Sequence, residues 1–130
     1  INEALDSGQI TGGFVQGQGW VTTEKLFYDA KGFLASHSPS TYKIPGVQDT
    51  PRDFRVHLLP NEENVANYRG TKAVGEPPLL LALSVWTAVQ DAIRALPIYK
   101  ERYPQIELPA TQEQVLRALR PEAFAAWESI

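Results

Sequence analysis

The stretch "TKAVGEPPLLLALSVW", Thr71 to Trp86, sets a carboxylate, Glu76, directly against two prolines and a long apolar run. Proline is tolerated in the first turn of a helix, where its missing N–H would have no partner, so Pro77 and Pro78 mark a helix start. From Pro77 onward apolar residues fill nearly the whole circumference, which predicts a buried central helix of about 20 residues. A residue that precedes proline is pushed out of the helical region. Glu76 is thereby placed at the N-cap, with Pro77 as the first helical residue. Glutamate is a poor cap, because Ser, Thr, Asp and Asn are preferred and the prolines leave Leu79 as the first N–H within reach. The positive helix end still favours an ionised carboxylate, and Gly75 leaves room for something to approach it. On the residues alone, Glu76 reads as an available base or, equally, as a surface partner of Lys72 or Arg69.

Upstream, Ser7 to Thr22 is dense in glycine, with Gly8, Gly12, Gly13, Gly17 and Gly19. Each glycine weakens a helix by up to about 1 kcal/mol relative to alanine. Glycines recurring at this spacing nevertheless leave one stripe of helix without side chains, where another backbone or a flat ligand can approach closely. A helix is predicted here. Gln16 stands amid the stripe, where its amide can bond a polar ligand or face solvent. "EKLFYDAKGFLAS", Glu24 to Ser36, reads as a hairpin that turns at Asp29 to Gly32, with glycine at the position needing positive φ. "FRVHLL", Phe54 to Leu59, alternates apolar and polar side chains and predicts a strand with one buried face. Pro39, Pro45, Gly46 and Pro51 make the intervening stretch irregular, and Pro60 to Asn64 is a polar turn. Beyond Pro97 and Pro104, "IEL" at Ile106 to Leu108 reads as a short strand. Thr111 then caps an amphipathic helix carrying Val115, Leu116 and Leu119, and a last helical turn or two is predicted over Pro121 to Trp127. The expected fold class is α+β, a small sheet with a hairpin packed against a buried central helix and further helices.

With 130 residues, 43% of them apolar, the chain is long enough for one compact core, and residues 1–130 are expected to form a single segment. It opens at Ile1 and contains no methionine, which reads as a piece excised from a longer polypeptide. Twelve basic and fifteen acidic side chains give a formal charge of −3, so no sustained basic face is present to neutralise phosphates, and nucleic acid is excluded as a partner. The absence of cysteine excludes disulfides, thiolate zinc sites, cysteine-held iron–sulfur clusters and a cysteine nucleophile within this chain. The apolar run Leu79 to Val89 is interrupted by Ser84 and Thr87, short of the roughly 18 residues a membrane span needs. No signal-peptide core precedes it, so a cytoplasmic protein is expected. Gly12 and Gly17 have the four-residue gap of a phosphate-binding loop, but Gln18 and Gly19 stand where Gly-Lys-Ser/Thr would continue. His37 and His57 lack a metal-ligand spacing, and no metal ligand is expected. Ser38, Ser40 and Thr41 have no base nearby and read as turn residues.

The string "TKAVGEPPLLLALSVWTAVQDAI" resembles the closing segment of the molybdenum-binding subunit in the xanthine dehydrogenase family of molybdenum hydroxylases, where a K-A-V-G-E-P-P-like motif carries the active-site glutamate. "GQITGGFVQGQGWVTTEKLFYDAKG" and "SPSTYKIPGVQDTPRDFRVHLL" resemble the segments that precede it there, in the same order. The resemblance is strong from Ala4 to Ile93 and loose beyond. In "STYKIP" and "DFRVHLL" it lies nearer the xanthine-oxidising than the aldehyde- or carbon-monoxide-oxidising branches. It implies the C-terminal part of a larger molybdopterin-binding domain, in an oxidoreductase of purine catabolism that hydroxylates hypoxanthine or xanthine at a molybdenum centre. It further implies that Glu76 is the base that takes the proton from the attacking hydroxyl, that Gln16 lies close to the molybdopterin cofactor, and that Gly75 and Val74 line the same cavity.

Such enzymes place iron–sulfur clusters and FAD in other domains or subunits. The implied partners are therefore the remainder of the molybdenum-binding subunit, the iron–sulfur and FAD portion, and the purine. Because most cofactor contacts and the purine-clamping residues lie elsewhere, these 130 residues alone are expected neither to retain the molybdenum cofactor nor to turn over substrate. The alternatives are a non-catalytic binding or interaction module of the same fold and the equivalent segment of an aldehyde-oxidising enzyme.

Overall fold

The computed structural model describes residues 2–127, and its regular structure is helical. Helix α1 runs Glu3–Thr22, so the glycine-dense segment is a helix of 20 residues, as its spacing predicts. It opens on Asn2, whose side-chain oxygen accepts from the N–H groups of Ala4 and Leu5 at 3.1 and 3.2 Å, with Glu3 and Asp6 in the first turn where negative charge suits the helix end.

The glycines explain what α1 receives. A Cβ at Gly13 would stand 2.5 Å from the Gly75 carbonyl oxygen, and one at Gly17 would overlap the Leu79 carbonyl and lie 2.6 Å from the Ala82 Cβ. Two bare turns of α1 therefore let the backbone of α2, Glu76–Leu81, lie directly upon it. Helix α3, Leu83–Arg94, follows at once. At the junction Ala82 is fully enclosed, and the ladder tightens, with Ala82 N–H donating to Leu79 O at 3.3 Å and Val85 N–H to Ala82 O at 2.9 Å. The single long helix predicted from Pro77 is thus two helices meeting at Ala82.

Two features of that prediction are corrected. The helix begins at Glu76, one residue earlier than expected, with Gly75 as its N-cap at φ −86° and ψ −43°. The restriction before proline is a preference, and here it yields to the seating of Gly75 on Gly13. Nor is this helix pair buried: Leu80 is 69% exposed, Leu81 64% and Leu83 48%, while the inward side carries Pro78, Ala82 and Ile93. Apolar residues all round a helix report what is coverable, and this chain covers one side.

The expected sheet is absent among the described residues, so the fold is helices joined by long irregular connections rather than α+β. The hairpin reduces to one antiparallel bridge, Tyr28 to Leu34, around a turn in which the Asp29 carboxylate accepts from the N–H groups of Lys31 and Phe33 and Gly32 adopts φ +84°. Phe54 to Leu59 has no neighbouring strand. Its alternation is real, since Phe54 and Val56 are half-buried and Arg55 and His57 exposed, but the cover is a helix: the Phe54 ring meets that of Phe14 on α1 at 5.3 Å. A period of two reports one-sided burial, and pairing is a separate requirement that nothing here meets. Ile106, in the short strand predicted at Ile106 to Leu108, is likewise buried from irregular backbone.

A second cluster lies toward the C-terminus, where Ile93, Tyr99, Ile106, Ala110 and Ala118 form a buried core flanked by Trp86 and Val89 of α3. It includes α4, Gln112–Leu119, capped by the Thr111 hydroxyl accepting from Gln114 N–H at 3.3 Å, and it is followed by α5, Pro121–Trp127. The Ala110 N–H donates to Val21 O at 2.8 Å and ties this cluster to the end of α1. Inside it, the Tyr99 hydroxyl donates to the Ala118 carbonyl at 2.9 Å. Tyr99→Phe in the intact protein is expected to cost about 1–3 kcal/mol, because that carbonyl is left buried without a donor, and denaturant unfolding reads the loss.

Candidate active site

Where α1 and α2 lie together they leave an open cleft of about 440 Å³, lined by Gln9, Gly12, Gln16, Gly75, Glu76 and Leu79 among others. Three of the four residues singled out from the sequence, Gln16, Gly75 and Glu76, therefore share one site. Val74 does not. It is half-buried and lines a neighbouring cleft of about 870 Å³, alongside Lys72, Arg69 and Leu58. Along the chain the two clefts therefore meet between Val74 and Gly75.

The glycine row divides by face. Gly13 and Gly17 are filled by the backbone of α2, whereas a Cβ at Gly12 would meet nothing within 4 Å, so its bare backbone opens onto the cleft. Glu76 and Gln16 are both exposed. Among the described residues Glu76 takes part in no ion pair, and neither Lys72 nor Arg69 reaches it. The surface-pair reading of Glu76 is not the arrangement formed.

Gln9 also lines the cleft, a residue the sequence reading passed over. Its amide oxygen comes within 3.8 Å of where a Cβ on Gly75 would stand. The signal was present: Gln9 and Gln16 are seven apart, two helical turns, and therefore on the same face with Gly12 and Gly13 between them. The cleft thus offers two carboxamides, each both donor and acceptor, one carboxylate and a strip of bare backbone. That set can orient a polar, flat molecule and accept a proton from it.

The remaining sequence candidates stay outside. His37 Nδ1 donates to the Leu34 carbonyl at 2.9 Å, and no group of three or more His, Cys, Asp or Glu that could hold a metal ion exists among the described residues. Ser38, Ser40 and Thr41 bond one another within their turn, at 2.8 and 3.1 Å. No helix among the described residues is long and apolar enough to cross a membrane.

Residues 1–51, which contain all of α1 with Gln9 and Gln16, match the model of the molybdopterin cofactor-binding domain. The chain is 44% identical over 122 residues to the xanthine dehydrogenase/oxidase of Rattus norvegicus, an alignment covering 91% of this chain and 9% of that protein. This is a segment of the molybdenum hydroxylase family. Other matches within the hydroxylases are the xanthine dehydrogenase of Dictyostelium discoideum, 40% identical over 88% of this chain and 9% of that protein, and the aldehyde oxidase 2 of Macaca fascicularis, 37% identical over 98% of this chain and 10% of that protein. The chain spans about a tenth of the length of these hydroxylase relatives.

Proposed function

We propose that this chain is the C-terminal part of the molybdopterin-binding domain of a purine-oxidising molybdenum hydroxylase, and that Glu76 is its catalytic base. The observation that carries the reading is a carboxylate with no ion-pair partner among the described residues, set in one cleft with two amides and a bare glycine backbone. The donor set suits the organic part of a molybdopterin, which is flat and rich in hydrogen-bonding edges. Gly12 leaves the space that a side chain would fill. When bound, the cofactor supplies the two-electron oxidant that lets an electron-poor carbon exchange hydrogen for a water-derived hydroxyl.

In this reading Gln16 and Gln9 hold the cofactor side of the cleft by hydrogen bonds, and Gly75 allows close approach beside the carboxylate. Val74 supports that wall from the adjoining cleft. Glu76 accepts the proton of the attacking oxygen at its carboxylate, a role that contributes about 10² to 10⁴ in rate. Iron–sulfur and FAD groups in other domains or subunits would take up the two electrons, and hypoxanthine or xanthine would be the substrate. The test is Glu76→Gln in the intact enzyme, with molybdenum content measured beside xanthine turnover. The similarity to an aldehyde oxidase supports a second substrate reading, and activity on aldehydes but not on xanthine would select it.

The cleft is open on its outer side and the purine-binding residues are placed in the rest of the enzyme. The isolated 130-residue chain is accordingly expected to hold no molybdenum and to show no turnover. Elemental analysis finding stoichiometric molybdenum in an active isolated chain would overturn this.

A further inference from the structure

Glu76 stands at the end of a strap, Thr71 to Gly75, that leads from a tight turn into α2. The strap has an anchor at each end. At the α2 end the Gly75 carbonyl lies against Gly13, where an added Cβ would come within 2.5 Å of its oxygen. At the other end the Asn61 side-chain amide donates to the Gly70 carbonyl, and a Cβ on Gly70 would stand 2.8 Å from the Asn61 carbonyl oxygen. Between the anchors, among the described residues, no hydrogen bond holds the backbone of Lys72, Ala73 or Val74. Where the strap lies is therefore set by its ends.

The turn that Asn61 closes has an uncommon backbone. Arg69 adopts φ +52° and ψ +31° and Gly70 φ +68°, two successive residues in the left-handed region, which arginine seldom enters. Such a conformation persists only where its surroundings hold it. The loop from Asn61 to Gly70 has no buried apolar side chain to do so, since Val65 is 94% exposed and Tyr68 79%. Polar bonds hold it instead: the Thr71 hydroxyl and N–H both donate to the Tyr68 carbonyl, at 2.9 and 3.2 Å, and the Gly70 N–H donates to Asn67 O at 3.0 Å. Those bonds are local to the turn. The one that joins the two ends of the loop is the bond from Asn61 to Gly70. We propose that Asn61 is a positioning residue for the base: by holding Gly70 it fixes the strap, and through the strap the place of the Glu76 carboxylate beside Gln9 and Gln16. The inference rests on the reading of Glu76 as the base. The atom that matters is Asn61 Nδ2, because an ionised aspartate of the same shape can only accept, and would face the Gly70 carbonyl with no proton to share.

The experiment makes Asn61→Asp and Asn61→Ala in the intact enzyme and expresses xanthine turnover per bound molybdenum. Both are expected to lower kcat by up to about 10²-fold, the scale of a misplaced reacting group, with KM and molybdenum content near those of the parent. Hydrogen exchange of the peptide spanning Thr71 to Glu76 is expected to quicken in both. Added to Glu76→Gln, either substitution should cause no further loss of kcat, because a displaced base and a missing one are the same defect. A normal kcat per molybdenum in Asn61→Asp, unchanged exchange of that peptide, turnover lost only in proportion to molybdenum, or losses that multiply in the double variant would each overturn the proposal. The two readings fail distinguishably: undiminished turnover by Glu76→Gln removes the base and the positioning with it, whereas a slow Glu76→Gln beside a normal Asn61→Asp removes the positioning alone.

Discussion

Glu76→Gln in the intact enzyme is expected to lower purine turnover by about 10² to 10⁴ while molybdenum content and thermal stability stay near those of the parent. Glutamine keeps the shape of glutamate and its hydrogen-bonding reach but cannot accept a proton to form a neutral acid, so the substitution removes the proposed chemistry and little else. The structure explains why little else is lost. Glu76 is exposed and ion-paired to nothing among the described residues, and surface substitutions of that kind usually fall within about ±0.5 kcal/mol of the parent. Both kcat and kcat/KM should fall, because a base acts in the transition state rather than in substrate binding. A structural role would show itself differently, as lost molybdenum or a lowered Tm with residual turnover in proportion to loading. Near-normal xanthine oxidation by a fully loaded variant would sink the assignment.

The residues that were legible in the sequence were those whose local chemistry has one outcome. Glycines at Gly13 and Gly17 leave a gap that only backbone or a flat ligand fits, and backbone fills it. Prolines at Pro77 and Pro78 locate a helix start to within one residue. Thr111 caps the helix its pattern predicts. What the sequence misled on depends on matter outside the local stretch. The alternation of Phe54 to Leu59 records that one side is covered, and the cover is α1 through Phe14 rather than a neighbouring strand. The apolar circumference of α2 and α3 records a demand for burial that this chain meets on one side only. The resemblance groups Val74 with Gly75, yet Val74 lines the other cleft. Gln9 was passed over because a lone glutamine carries no signal, and its meaning comes from its two-turn relation to Gln16.

Gly17→Ala should be the most damaging single change on α1. An added Cβ would overlap the Leu79 carbonyl oxygen and stand 2.6 Å from the Ala82 Cβ, and neither neighbour is the movable end of a long side chain. Backbone must therefore give way. Overpacking of this sort typically costs about 1–3 kcal/mol, and here it acts on the contact that holds α2 against α1. The same shift moves Glu76 away from Gln9 and Gln16, and a displacement of about 1 Å at a reacting group can cost 10²-fold in rate. Tm and kcat are thus expected to fall together in the intact enzyme. Gly12→Ala separates the two effects on the same helix. Its Cβ would meet nothing within 4 Å, and alanine favours the helix by up to about 1 kcal/mol, so Tm should hold or rise. The methyl group nevertheless projects into the cleft proposed for the cofactor, so molybdenum content should drop without loss of stability. Unchanged loading in Gly12→Ala would mean that the bare backbone there receives no ligand, and an unchanged Tm in Gly17→Ala would mean that α1 and α2 do not meet as closely as their glycines allow.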